Sequence, residues 1–252
     1  MADLKRHAAR FLLRILAPRM VRDSSPYNRI WGHAIVLQLG ALDEEAFRRE
    51  LDAFYAQLDP EECAATVNLA AKATALERPG GYKADVLTLA GHAPVPPGRL
   101  DFWARRFGLA RQLSIRADVI IVRAGDQIPP HGHSQVVSGF YVLTGRVAVR
   151  HYDRVEERDD HVLLRKSIDT EMGPGGYTTN SEYHQNIHWL LGIAPVSYLF
   201  RFTVTDVPVK RFSVSEHDHS RAYVDPTGAP DPSGLIRAPY VSEQAARAIP
   251  FR

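Results

Sequence analysis

The chain has 252 residues, of which 45% are hydrophobic and 24% are charged, and its formal net charge is +2. This composition is typical of a globular protein with a packed core; it gives no indication of a nucleic-acid partner, and no run of about 18 apolar residues predicts a membrane-spanning helix. The single cysteine, Cys63, excludes an internal disulfide and a cysteine-based zinc cluster, and we expect a cytoplasmic protein.

Residues 1–22, MADLKRHAARFLLRILAPRMVR, are predicted to form a basic amphipathic helix. Three interpretations stay open for it. The helix packs on the domain, or lies on an anionic membrane surface, or resembles an arginine-rich organelle presequence. This segment is therefore the predicted contact with a membrane or a partner protein, if the chain makes one.

Residues 23–110 are predicted to be a helical extension that packs on the rest of the chain. Apolar residues at helical spacing predict a helix from Leu42 to Leu58. Asp59 and Pro60 are typical of the N-cap and the first turn of a second helix. The proline-rich segment at residues 91–98 is predicted to be a link.

Residues 111–210 contain short segments rich in Val, Ile, Tyr, Phe and Thr, separated by Gly, Pro and Asp. The clearest are LSIRADVIIVRAG, VVSGFYVLTGRVAVRHYD, HVLLRKSID and VSYLFRFTVTDV. This pattern predicts antiparallel strands in a barrel or sandwich. Residues 211–252 are rich in proline and glycine and are predicted to wrap this domain in loops and short segments.

Eleven histidines are a high count, and the segment QIPPHGH holds two of them one residue apart, His131 and His133. We expect a loop at Pro129–Pro130 to deliver both to the barrel mouth, on one face because strand side chains alternate. Neutral imidazoles suit iron, zinc, copper or nickel, and two ligands rarely suffice. The segment YHQNIHWLLG supplies His184 and His188 as candidates for a third ligand.

The segment GDQIPPHGHSQVVSGFYVLTGRVAV resembles the first motif of the cupin superfamily, G-x5-H-x-H-x(3,4)-E-x6-G. Four residues match it in register: Gly125, His131, His133 and Gly145. Ser138 stands where the motif has its glutamate. GPGGYTTNSEYHQNIH resembles the second motif, with Pro174 and Gly176 in its turn, although the histidine comes later. The resemblance implies a mainly β cupin double-stranded β-helix, or jelly-roll barrel, with the N-terminal helices packed on it.

Three histidines without the glutamate are the pattern of thiol dioxygenases within the cupins. IPPHGHSQVVSGFYVLTGRVAVRHYD is similar to a stretch of plant cysteine oxidases and cysteamine dioxygenases, and NIHWLLGIAPVSYLF is similar to the strand with their third histidine. The resemblance implies Fe(II) held by His131, His133 and His188, with His184 as the alternative third ligand. Zinc or nickel would accept the same imidazoles. The implied activity is the oxidation of a small thiol or thiol-bearing substrate by O2.

Candidates for substrate contact are weaker. ARQLSIRADVIIV resembles the strand that carries a carboxylate-binding arginine in small-molecule thiol dioxygenases, which nominates Arg111, with Arg116 and Arg123 as rivals. Tyr141 and Tyr183 are candidate catalytic residues that could reach the metal cavity. For Tyr141 the competing interpretation is packing inside the barrel.

Other polar residues receive other predictions. Asp118 and Glu182 are possible carboxylate ligands, but neither has the H-x-D/E spacing of 2-oxoglutarate oxygenases. Trp189 follows His188 and is predicted to face the opposite side of its strand and to pack in the core. The second H-x-H pair, at residues 217–219, is predicted to lie in a solvated loop.

Two alternative functions stay open at this point. The long extensions favour, to a lesser degree, a cupin dioxygenase that cleaves a C–C bond of a carbon substrate. A non-catalytic cupin that binds a metal or ligand is the other alternative. For the catalytic hypotheses, the expected partners are a small-molecule substrate and O2, and no oligomeric state is predicted.

Overall fold

The computed structural model describes residues 26–38, 40, 42–66, 85–86, 114–182, 184–207 and 221–252, together with Phe11. The predicted helix at residues 1–22, apart from Phe11, and the predicted link at residues 91–98 lie outside these ranges. Arg111, Tyr183 and the H-x-H pair at residues 217–219 lie outside them as well.

Three described helices precede the barrel: α1 (Pro26–Gln38), α2 (Glu44–Tyr55) and α3 (Pro60–Thr66). Helix α2 begins two residues later than predicted, because the Asp43 side chain caps it by accepting a hydrogen bond from the Ala46 N–H at 2.7 Å. The Asp59 side chain accepts from the Glu62 N–H at 2.7 Å, which confirms the predicted N-cap of α3. None of the helices in the described ranges combines the length and apolar character that crossing a membrane requires.

The β structure consists, in the described residues, of eleven strands followed by one more helix. The strands are β1 (Asp85–Val86), β2 (Ser114–Arg123), β3 (Gln127–Gly132), β4 (Val137–Thr144), β5 (Val147–Glu157), β6 (His161–Met172), β7 (Tyr177–Asn180), β8 (Ile187–Gly192), β9 (Val196–Thr205), β10 (Ala222–Tyr223) and β11 (Ile236–Pro239). Helix α4 (Glu243–Ala248) follows the last strand.

These strands form two antiparallel sheets, with the orders β1-β2-β9-β4-β7 and β10-β3-β8-β5-β6-β11. The chain passes from one sheet to the other at most connections, as between β4 and β5, where Gly145 turns with φ 83°. Apolar residues of both sheets, among them Ile120, Val149 and Leu190, form one buried cluster. This arrangement is the predicted double-stranded β-helix, and the fold prediction is confirmed.

The N-terminal helices cover the outer face of the first sheet. Phe47, Leu51 and Tyr55 of α2 belong to the same buried cluster as Phe200 and Phe202 of β9. The Tyr55 hydroxyl donates to the Gly139 carbonyl at 2.8 Å and accepts from the Phe202 N–H at 3.1 Å. The helices are therefore joined to the barrel by both apolar packing and hydrogen bonds, as predicted, and the inner face of the sheet is left for a site.

The C-terminal segment covers the second sheet. Strand β10 pairs with β3, and β11 pairs with β6, so each adds to one edge of the sheet. Trp189 of β8 is buried with Ala246 and Ile249, while Phe251 packs on this cluster. The prediction that Trp189 faces away from His188 and packs in the core is confirmed.

Candidate metal centre

Strand β3 carries the first histidine of the H-x-H pair. The expected loop at Pro129–Pro130 is instead part of this strand, and the register with β8 shifts between Ile128 and His131. An irregularity of this kind tolerates prolines, which cannot donate a ladder hydrogen bond. His131 then pairs directly with His188 of β8, and His133 follows one residue after β3 ends.

Three imidazoles converge at this point of the inner surface. The ring centroids lie 4.2 Å apart for His131 and His188, 4.8 Å for His131 and His133, and 5.1 Å for His133 and His188. One nitrogen of each ring lies within 4.8 Å of the others, so the three could hold a metal ion. His184 does not belong to this group, and its Nδ1 lies 3.9 Å from the Asp153 carboxylate. The structure therefore joins His188 to the pair.

Backbone carbonyls orient two of the rings. The His131 Nδ1–H donates to the Pro129 carbonyl at 2.7 Å, and the His188 Nδ1–H donates to the Asn186 carbonyl at 3.1 Å. The Nε2 lone pair of each ring is thus available to a metal. Burial, followed by neighbouring imidazoles and Arg221, holds the pKa of His131 well below its usual range, and burial lowers the pKa of His188 to about 4. Both rings are neutral at pH 7, so this donor set fits a divalent transition metal.

The Asn186 side chain holds the backbone of His133 through both its N–H and its carbonyl group. Its Oδ1 accepts from the His133 N–H at 3.2 Å, and its Nδ2 donates to the His133 carbonyl at 2.8 Å. It also donates to the Ser181 carbonyl and accepts from Arg154. A β-carbon on Gly132 would collide with the Asn186 side chain, so the glycine permits this close approach.

A cavity of about 70 Å³ adjoins the three histidines. Its other polar lining residues are Ser138, His151, Asn180, Arg201, Thr203 and Arg221. Apolar side chains, including Ile120, Phe140 and Leu199, complete the wall. A small molecule bound here would be partly desolvated, which strengthens its electrostatic contacts with the wall.

The charges of the wall are positive. Arg201 is paired with the buried Asp118 through two hydrogen bonds, of 2.8 and 2.5 Å, so these two charges offset each other. Arg221 adds a second guanidinium, and both arginines oppose the protonation of His188. Because three neutral imidazoles leave the charge of a metal dication uncompensated, the site favours an anionic ligand.

Of the arginines predicted to contact the substrate, the two that the structure describes, Arg116 and Arg123, do not line the cavity, and Arg111 stays a prediction. Arg111 lies outside the described residues, Arg116 is exposed, and Arg123 is absent from the cavity wall. Sequence reasoning missed Arg201, although a signal existed: it is the one charged residue in the strand VSYLFRFTVT and shares the inner face with Leu199.

The prediction that Tyr141 could reach the metal cavity is wrong. Its hydroxyl donates to the Leu58 carbonyl at 2.8 Å, on the side of the helices. Alternation along β4 points Phe140 inward and Tyr141 outward. The inference from His133 failed because Gln135, with φ 58°, interrupts the extended backbone between them. The competing interpretation, that Tyr141 packs inside the barrel, differs from the structure as well, because Tyr141 packs between the sheet and the helices.

The two carboxylates that might have served as ligands have other partners. Asp118 binds Arg201, and the Glu182 carboxylate accepts from the Gln135 N–H at 2.9 Å. Neither belongs to the histidine group in the part of the chain that the structure describes. Ser138, at the motif position of the glutamate, lines the cavity instead.

Comparison with known proteins gives matches among solved structures alone: no family model and no curated protein matches the chain. KdgF from Halomonas sp. matches with a TM-score of 0.31 and 16% identity over 50% of this chain and 79% of that one. A cupin superfamily protein from Desulfitobacterium hafniense DCB-2 matches with a TM-score of 0.30 and 8% identity over 51% and 82%. An oxalate oxidase matches with a TM-score of 0.33 and 14% identity over 54% and 57%. At these values the fold assignment rests on the strand order itself.

Proposed function

We propose that this protein is a non-haem iron(II) dioxygenase that oxidises a small thiol with O2. The observation that carries the proposal is the group formed by His131, His133 and His188, which has no carboxylate among its members. A site with three neutral ligands keeps the full charge of the dication and leaves positions open for substrate and oxygen.

The reaction adds both atoms of O2 to the sulfur of a thiol: R–SH and O2 give the sulfinic acid R–SO2H. Sulfur loses four electrons and O2 gains them, so no further reductant is needed. Iron(II) bound at the site would supply the open positions and the electron transfer for this chemistry. The protein's own residues hold the imidazoles of His131 and His188 neutral and oriented, Asn186 fixes the backbone of His133, and the apolar wall limits water.

The size and charge of the cavity support a small anionic thiol. About 70 Å³ is far below the 300–1,000 Å³ or so of a typical drug-sized pocket, so a ring-shaped carbon substrate is disfavoured. The guanidinium of Arg221 lies among the lining residues and complements a negative group on the substrate. These two features favour a thiol substrate over the cleavage of a C–C bond.

The test is oxygen uptake by the full chain reconstituted with iron(II) under anaerobic conditions. The substrates are cysteine, cysteamine, 3-mercaptopropionate and a peptide with an N-terminal cysteine, with sulfinate detected by mass spectrometry. We expect uptake and sulfinate with at least one thiol, loss of both in His131→Ala, and wild-type behaviour in His161→Ala, a histidine on strand β6 beside Asp160. An iron-loaded protein that consumes no oxygen with any of the four thiols would refute the proposal.

A further inference from the structure

A fourth histidine lines the cavity beside the group of three. His151 lies on β5, directly opposite His188 of β8, and their ring centroids are 5.9 Å apart. The alternation of β5 places it inward, in line with Val147 and Val149 of the barrel core. Only 1% of its surface is exposed. The ring is therefore fixed in the wall next to the candidate metal ligands.

The polar atoms of this ring have no hydrogen-bond partner among the described residues. The backbone of Gln185 approaches the ring as a weak hydrogen-bonding neighbour, but neither ring nitrogen has a partner at full hydrogen-bond distance and angle. Burying an imidazole with both nitrogens unpaired costs stability, because the ring gives up its hydrogen bonds to water. Because His151 lines the cavity, a small molecule bound there could supply the missing hydrogen bond.

Two other roles for His151 fit the geometry less well than contact with a bound molecule. These roles are metal ligation and purely structural packing. His151 is outside the set of nitrogens that lie within 4.8 Å of one another, so it is not placed as a fourth metal ligand. A purely structural role would leave the ring next to Phe140, 6.3 Å away, where an apolar side chain of similar size would pack without unpaired nitrogens.

We propose that His151 is a substrate-contacting residue, which hydrogen-bonds to a small molecule bound beside His188. The ligand class is a small anion that coordinates the metal through one atom and offers a second polar atom to the imidazole. This inference rests on the proposed metal site, but not on the thiol substrate. A neutral imidazole has one donor and one acceptor nitrogen, so the ring can pair with either kind of polar atom.

The test measures azide binding to the full chain loaded with cobalt(II), followed by its visible absorption spectrum. The variants are His151→Phe, which keeps a ring but no polar atom, His151→Gln, which keeps a donor and an acceptor, and His161→Phe as the matched control. Cobalt stoichiometry and melting temperature are measured for each. We expect wild-type stoichiometry throughout, and a melting temperature of His151→Phe no lower than that of the wild type.

Azide affinity should fall about tenfold in His151→Phe, as expected for the loss of one hydrogen bond in a desolvated site, and recover at least partly in His151→Gln. Unchanged affinity in His151→Phe would overturn the inference, and a loss of cobalt would identify a fourth ligand instead. Failure of the wild type to bind cobalt would overturn both proposals. Normal azide behaviour without thiol-dependent oxygen uptake would refute only the proposed function.

Discussion

The strongest test of the site geometry is the substitution Asn186→Ala. Asn186 is fully buried, and its side-chain amide makes four hydrogen bonds, two of which hold the N–H and carbonyl of His133. The others reach the Ser181 carbonyl and the Arg154 guanidinium. The substitution removes no proposed metal ligand, but it releases the backbone that positions one.

The magnitude follows from these four contacts. A net contribution of about 1 kcal/mol each gives about 4 kcal/mol, and about 2 kcal/mol if water enters and restores part of the bonding. We therefore expect the free energy of unfolding to fall by about 2–4 kcal/mol. Loss of an outer contact of a metal ligand typically weakens binding about 10–100-fold, and we expect zinc affinity to fall by this factor.

The assay combines equilibrium denaturation with zinc titration against a competing chelator. The matched control is Tyr55→Phe, which removes two buried hydrogen bonds, to the Gly139 carbonyl and from the Phe202 N–H, on the face of the first sheet that the helices cover. It should cost a similar 2–4 kcal/mol or so and leave zinc affinity unchanged in the folded protein. If Asn186→Ala bound zinc as tightly as the control, the argument that Asn186 positions His133 would be wrong.

Three further predictions concern residues around the site. Tyr141→Phe removes the hydrogen bond to the Leu58 carbonyl, so denaturation should show a free energy of unfolding about 1 kcal/mol lower. The kcat and KM of oxygen uptake should not change, and a change in KM would contradict the outward orientation of Tyr141. Gly132→Ala should lower both the melting temperature and zinc affinity, because its β-carbon would meet Asn186, whereas Gly173→Ala, whose β-carbon meets nothing within 4 Å, should change neither. Burial raises the pKa of Cys63 to about 11, above the value of 9.0 for an unperturbed thiol, so the folded protein should resist Ellman's reagent at pH 8. The unfolded thiol loses its proton first as the pH rises, so the contribution of Cys63 to stability is present below about pH 9 and is lost towards about pH 11; denaturation of Cys63→Ala should lack this component.

Local patterns were sufficient for the strands and for the first two members of the histidine group, whereas the barrel was implied by the resemblance to the cupin motifs. Alternation and turn residues predicted the strands, and the H-x-H spacing predicted that His131 and His133 lie together. The alternation rule failed for Tyr141. It assumes a continuous strand from His133 to Tyr141, but Gln135 interrupts the extended backbone between them. The expected loop at Pro129–Pro130 was also wrong, because an irregularity in the pairing with β8 accommodates the prolines inside strand β3.

The surroundings of the histidines could not be predicted because they depend on pairing between distant strands. Arg221 reaches the cavity because β10 pairs with β3, which sets Tyr223 opposite His131. His151 faces His188 only because β5 and β8 are neighbours in the second sheet. The histidine spacing identifies the donor atoms for a metal, whereas the substrate is selected by these long-range neighbours. A short motif can therefore predict where chemistry occurs in this barrel, but the molecule that reacts depends on the register of the sheets.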